Sequence, residues 1–295
     1  MSFTQVQTRH RTSPASFTHP RTRIDAPRTA ASAEKADLEW YTWSVLLDQF
    51  QKAVDLKTPL HISGRIQDSC GSKDLQALTT TTAQIRFCWD SVTKCFLAKY
   101  MPTTIHEKAK SCFGPAFTEA FSATTNLPFM EYGDLGGSAT VKLSPTRTKE
   151  ADESVCSNTR QVSDCPVLAM EVGVADSRTK LIIAAGWWLE SNTNIVLIVI
   201  ADRKEKKLVM ERWQRDTSPP PKALRTPMKP APVSVETVVL QDPFETPLEE
   251  YRTPTISLPW ELLELGLPSP YTSGNLVVDL TRWSKAVWRA MRADM

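Results

Sequence analysis

Zinc-ligand spacing is missing from this chain. Cys70, Cys88, Cys95, Cys112, Cys156 and Cys165 form no CxxC pair. His10, His19, His61 and His106 do not stand at ligand spacing from them. A zinc module is excluded on that pattern, and dispersed reduced thiols of an intracellular protein are the expectation. Glycine is scarce, with 10 residues against 21 prolines, so turns stiffened by proline are expected. Long apolar runs are lacking too. The longest, NIVLIVIA, falls far short of the roughly 20 residues that span a bilayer, so no membrane partner is expected. The opening MSFTQVQTRHRT has no apolar core of a secretory signal. A soluble cytoplasmic or nuclear protein is therefore expected. Charge of either sign is not in excess: 35 basic against 33 acidic residues gives +2. That balance does not announce nucleic-acid binding, although a local basic patch is compatible with it. P-loop, GxSxG, HExxH and GxGxxG motifs are absent from any supporting context.

What is present has a clear order. Residues 1–36 are rich in Thr, Ser, Pro, Arg and Ala without apolar periodicity, which predicts a disordered basic tail. Its arginines, Arg9, Arg11, Arg21, Arg23 and Arg28, are scattered: either solvated or a basic arm for phosphate or nuclear import. From residue 37 to 295 one domain is expected. Trp43, Leu46, Leu47, Phe50 and Val54 share one helical face, with Asp37 as N-cap. Ile85, Cys88, Trp89, Val92 and Phe96 repeat the spacing and predict a second helix over 73–99. A third starts near Thr104, carries Ile105, Ala109, Cys112 and Phe113, and should be kinked or split at Gly114-Pro115.

The period then changes. LPFMEY (127–132) and SATVKLS (138–144) predict a hairpin through GDLGG, and the polar stretch 145–164 a long loop. PVLAMEV (166–172) has the continuous apolar run of a strand buried on both faces. DSRTKLIIAAGWWLES predicts a helix capped by Asp176 or Ser177, and NIVLIVIA (194–201) and KLVMERW (207–213) two further strands. A central strand thus crosses over through a helix to a parallel neighbour, in a mixed-sheet α/β core. The Pro-rich segment 216–232 is expected to be an insertion. Beyond it come a strand VSVETVVL, a loop TISLPWELLELGLPSP, and a helix with Leu280, Trp283, Val287 and Met291 on one face, all packing back onto the core.

Several of these stretches carry a recognisable pattern. It comprises Pro166, Leu168, Glu171, Val172 and Gly173 on the strand, Trp188, Leu189 and Ser191 at the helix end, and Glu211 and Trp213 on the last strand. Upstream stand Trp43 and Phe50, Ile105-His106, and Gly137, Ser138, Lys142 and Pro145; downstream stand Asp279, Leu280, Trp283, Val287 and Trp288. This run resembles a large group of fungal proteins, mostly uncharacterised, that share the PD-(D/E)XK restriction-endonuclease-like fold. The resemblance covers roughly residues 38–293 and is most specific over 166–213. It implies a restriction-endonuclease-like mixed β-sheet flanked by helices, here with an N-terminal helical extension.

The resemblance also implies a chemistry. Nucleases of this fold hold Mg²⁺ with carboxylates from two adjacent strands, and a lysine positions or activates the attacking water. Glu171 matches the strand carboxylate, as metal ligand and catalytic residue. It should stand at the open rim of the strand. The lysine of an ExK motif would fall at position 173, which is Gly173, and the Pro-Asp pair expected on or after the second strand is Pro145-Thr146. A hydroxyl lacks the charge that holds a hard cation, so Asp152, with Glu150 or Glu153 beside it, is the candidate to swing in; Asp134 is a weaker one. Asp164 is roughly 23 Å from Glu171 along an extended strand and cannot share its metal. Lys180 or Lys142 could replace the lysine, and Lys180 reads equally as a solvated helix residue. Glu119 fits either an accessory acid on the preceding helix or an exposed position. His106 reads as a cap or packing residue before a catalyst. Trp187, Trp188 and Trp213 read as core before base-stacking platforms. With both the expected Asp and the expected Lys missing, the favoured expectation is a degenerate site in a module binding nucleic acid (DNA or RNA) or protein. The alternative is a Mg²⁺-dependent nuclease.

Overall fold

A computed structural model describes residues 39–58, 60–67, 85–100, 103–137, 140–144, 147–161, 164–174, 178–216 and 231–293. The basic tail, Pro145-Thr146, the Asp176/Ser177 cap and nearly all of the Pro-rich insertion lie outside those residues.

The elements run in the order β1 (Trp40–Tyr41), α1 (Trp43–Leu56), β2 (Leu60–Ile66), β3 (Ile85–Asp90), β4 (Cys95–Tyr100), α2 (Thr104–Thr125), β5 (Gly133–Leu135), β6 (Thr140–Ser144), β7 (Arg147–Glu150), β8 (Glu153–Ser157), β9 (Leu168–Val174), α3 (Arg178–Glu190), β10 (Ile195–Asp202), β11 (Lys207–Arg215), β12 (Pro232–Leu240), β13 (Thr255–Pro259), α4 (Trp260–Leu263), β14 (Asn275–Asp279) and α5 (Thr281–Ala293). The protein is a mixed α/β structure. One six-stranded sheet has the order β1-β2-β4-β3-β7-β6, a second has the order β12-β11-β10-β9-β8-β5, and β13 pairs with β14. Among the described residues no helix is long and apolar enough to cross a membrane.

The N-terminal part is where expectation and structure part most. The described part of the expected helix over 73–99 is a hairpin, β3 and β4, so the N-terminal extension is mostly sheet. Ile85, Cys88, Trp89 and Phe96 have helical spacing by coincidence. The Asp90 carboxylate accepts from the amides of Val92 and Thr93, and Lys94 takes φ 59. These turn contacts break any helix between the two runs. β4 is central and buried on both faces, so its side chains alternate between two cores. Phe96, Ala98 and Tyr100 join Leu46 and Phe50 of α1 on one face. Leu97 packs on the other, against Trp188 and Ala169. Lys99 has the parity of Leu97 and points the same way, toward the second sheet.

The second sheet follows the expected crossover. β9 pairs parallel with β10, with Glu171 opposite Ile198, and α3 joins them. Every residue of α3 from Leu181 to Leu189 is buried, as suits a helix clasped between layers. The far face of the sheet is covered by α2 and α5, through Phe113, Phe117, Trp283 and Val287. The Trp283 indole donates to the Ala109 carbonyl at 2.7 Å, so the C-terminal helix does pack back onto the core. α2 continues through Pro115 instead of splitting. Phe113, Phe117 and Phe121, all fully buried, hold a single face on both sides of the proline.

Four smaller expectations are corrected. LPFMEY forms a 3₁₀ turn at Phe129–Glu131, not a strand. β6 pairs with β7, and β5 with β8, so the expected hairpin does not form. The expected loop 145–164 contains β7 and β8, whose polar side chains find partners across the sheets. Likewise TISLPWELLELGLPSP contains β13 and α4.

Phe117 packs edge-on against Phe129 with ring centroids 5.2 Å apart. Phe117→Ala should therefore destabilise the protein by about 3–5 kcal/mol, read as a lowered denaturant midpoint; a change under about 1 kcal/mol would mean that α2 is not held by this seam.

Candidate functional site

The apolar run of β9 explains why one carboxylate matters. Leu168, Met170 and Val172 face α2, while Ala169 faces α3 and the first sheet. Glu171 shares the parity of Ala169 and enters the layer between the sheets. It is 1% exposed. The expected open rim is therefore not where it stands: β4 and β7 of the first sheet cover it.

Three groups meet Glu171 there. Its Oε1 accepts from the Trp188 indole of α3 at 2.8 Å and pairs with Lys149 Nζ of β7 at 2.9 Å. Its Oε2 accepts from Lys99 Nζ of β4 at 2.7 Å. The same Lys99 ammonium donates to Asp152 Oδ2 at 2.5 Å. Asp152 lies where the chain leaves β7 in the first sheet and enters β8 in the second. Its amide donates to the Met170 carbonyl, and its Oδ2 accepts from the Val172 amide at 2.7 Å. The ladder between β8 and β9 ends at Glu153 opposite Met170. The backbone and side chain of Asp152 extend it by one step, at a fork between strands.

His106, in the first turn of α2, puts Nε2 3.0 Å from Asp152 Oδ1. This is ion-pair distance, and among the described residues neither atom has another partner. His106 N caps onto Thr103 Oγ1 at 3.2 Å, so the ring is aimed by the helix start.

The ionisation of the cluster follows from opposing effects. Burial pushes the Asp152 carboxyl up, but Lys99 and His106 outweigh it and hold it well below the carboxylate range. Burial also raises Glu171, and Lys149 and Lys99 outweigh it in turn, leaving it lowered. Burial lowers Lys99, while Asp152 and Glu171 more than restore it, so the ammonium is stabilised. His106 is raised because Asp152 overcomes its burial. Nearby His61 is the opposite case: burial first, then Lys99, Lys180 and Lys149, keep its ring neutral, well below 6.5. Two carboxylates thus face two ammoniums, with a histidine at the edge.

A Mg²⁺ ion does not fit this arrangement. It needs oxygen ligands and keeps several waters. Here an ammonium already lies between the carboxylates. The adjoining gap, lined by His61, Arg86, Cys88, Lys99, Lys149 and Glu171, has a volume of about 20 Å³, room for one water. Among the described residues no group of three or more His, Cys, Asp and Glu could hold a metal ion.

The structure brings Glu171 and Asp152 onto one ammonium, that of Lys99. Lys180 does not serve as expected: its ammonium donates to the His61 carbonyl on β2, and the ammoniums on Glu171 are those of Lys149 and Lys99. Lys142 is exposed. Glu119 is exposed and pairs with Arg282. Glu150 pairs with Arg86 at 3.0 Å, and Glu153 accepts from the Ser154 amide. Asp134 and Asp164 are exposed. Trp187, Trp188 and Trp213 are core residues. Lys99 and Lys149 were missed. A lysine inside CFLAKY carries the same signal as Glu171 inside PVLAMEV, a charge in an apolar run. A helical reading of that stretch hides it.

Removing one partner from a buried ion pair leaves an uncompensated charge. Glu171→Ala should cost about 3–5 kcal/mol of stability, measured by chemical denaturation; a loss under about 1 kcal/mol would show the cluster to be solvated. A pH series separates His106. Its folded pKa is raised, so its stabilisation is complete below the unfolded value of about 6.5 and fades as pH rises through the folded value. The deficit of His106→Gln should therefore be larger near about pH 6 than near about pH 9. A deficit independent of pH would mean that the ring acts by packing alone.

Neither a family model nor a curated protein matches the chain, so its chemistry is argued from this geometry.

Proposed function

We propose that the chain is a non-catalytic binding module on a nuclease-like α/β fold, with nucleic acid as the favoured partner. The observation that carries this reading is the Lys99 ammonium, buried between Asp152 and Glu171 at 2.5 and 2.7 Å. In a nuclease of this kind those carboxylates would bind Mg²⁺, and the metal would bind the phosphate. An internal ammonium neutralises them and presents nothing to a substrate. Gly173, where a catalytic lysine would stand, agrees with this.

The topology supports the fold half of the proposal. Within the second sheet α2, β5, β8, β9, α3 and β10 run as a helix, three antiparallel strands, a crossover helix and a parallel strand. That order is the one expected of a restriction-endonuclease-like core, if β6 and β7, which pair in the first sheet, are set aside. Many α/β folds share such a run, so the site bears more of the weight.

The nucleic-acid half rests on a hollow of about 210 Å³ lined by Arg65, Arg147 and Trp187 among others. Arg147 lies over the Trp187 ring at 4.5 Å and is held there by Asp90 and Glu190. Arg65 is exposed, and its guanidinium suits a phosphate. A Mg²⁺-dependent nuclease is the second reading, favoured by one fact: two acids and two lysines are in mutual contact. It requires Lys99 to leave.

Labelled DNA and RNA, incubated with the purified protein with and without Mg²⁺ or Mn²⁺, should remain uncut. Binding should weaken with salt, and Arg65→Glu should lower the slope of log K against log salt by about 1. Metal-dependent cleavage that disappears in Glu171→Ala would establish the nuclease instead. Absence of both cleavage and binding would remove nucleic acid as the partner and leave protein.

A further inference from the structure

The carboxylates at the fork already hold a cation, and that cation belongs to the chain. We propose that Lys99 is an internal plug in a divalent-cation site: Asp152 and Glu171 hold its ammonium where they would otherwise hold Mn²⁺ or Mg²⁺, and removing the ammonium opens the site to the metal. The inference rests on the non-catalytic reading above and explains it.

Three features favour a plugged site over an ordinary salt bridge. First, Lys99 Nζ takes one oxygen from each carboxylate, Asp152 Oδ2 and Glu171 Oε2, the bridging pattern of a shared cation. Second, both carboxylates are positioned without it. Asp152 is fixed by the Val172 amide and by its own amide on the Met170 carbonyl. Glu171 is fixed by the Trp188 indole and by Lys149. Third, Asp152 Oδ1 is fully buried and faces one polar group, His106 Nε2 at 3.0 Å. It is an oxygen with spare lone pairs at the same place.

Lys99 comes from the other sheet, so its side chain can be changed while both carboxylates keep their backbone. Its own backbone is held on both sides, opposite His61 of β2 and Arg86 of β3. Shortening the side chain would join its volume to the gap of about 20 Å³ beside it. The enlarged space has hard oxygen ligands and room for water, which a divalent cation requires. Without Lys99, Lys149 is the remaining lysine on Glu171, and His106 the remaining cation facing Asp152. The two carboxylates then face two positive charges instead of three.

The test uses the full chain, with Lys99→Ala and Lys99→Gln as variants and Mn²⁺ as the probe. Melting temperature is followed against Mn²⁺ concentration, and bound Mn²⁺ is counted by electron paramagnetic resonance. Wild type should bind no Mn²⁺ at this site, and its melting temperature should not move. Lys99→Ala should melt lower in metal-free buffer. It should then bind one Mn²⁺ and recover as the concentration rises, as expected for a ligand of the folded state. The gain should vanish in Lys99→Ala combined with Asp152→Asn. Should Lys99→Ala fail to fold without metal, refolding on Mn²⁺ addition supports the plug equally, and Lys99→Gln supplies a folded variant for the count. Absence of Mn²⁺ binding by both variants overturns the plug yet leaves the binding-module reading standing. Stoichiometric Mn²⁺ binding by wild type also overturns it, and metal-dependent cleavage by wild type would sink both readings together.

Discussion

One ammonium joins the two halves of this protein. Lys99 belongs to a strand of the first sheet, Glu171 to the central strand of the second, and Asp152 to the step between β7 and β8, where the chain passes from the first to the second. Taking such charges out of water costs several kcal/mol per ion, and their attraction recovers it only where the remaining lone pairs and protons are also satisfied. Here they nearly are. Trp188 and Lys149 complete Glu171, and two backbone groups complete Asp152. The exception is the Asp152 Oδ1 edge facing His106.

That requirement for satisfaction shapes the surrounding fold. Lys99 can reach the carboxylates only because β4 is buried on both faces, one on α1 and one on α3. α3 in turn must be apolar all round, since it is clasped between two sheets. The polar group it turns toward Glu171 is the Trp188 indole. The diversion of β6 and β7 out of the β5–β8–β9 meander brings Lys149 over the fork. Without the first sheet the fork would be open to solvent, and β4 and β7 lie across it. Cover and neutralisation therefore arise together, from the same strands.

How much of this was legible depended on whether the signal was local. The apolar run of β9, the crossover through α3 and the parallel return of β10 were readable, because burial on both faces leaves a continuous hydrophobic stretch. Glu171 stood out as a charge within such a run, and Asp152 was reachable as one of three acids that follow Pro145-Thr146, with Glu150 and Glu153. β3 and β4 were misread, because alternation in strands buried on both faces carries no period to set against a chance helical spacing. β7 and β8 were missed because their charged residues are satisfied by partners 20 to 60 positions away, such as Asp90 for Arg147 and Glu171 for Lys149.

The sequence by itself determined the periods, and through them the α/β class, the central strand and the acid on it. Those depend on neighbours three or four residues apart, and hydropathy records them. Which charges meet that acid was decided by tertiary structure alone. Lys99 and Asp152 lie 53 residues apart and Lys99 and Glu171 lie 72 apart, and Coulomb attraction acts through space without regard to separation along the chain.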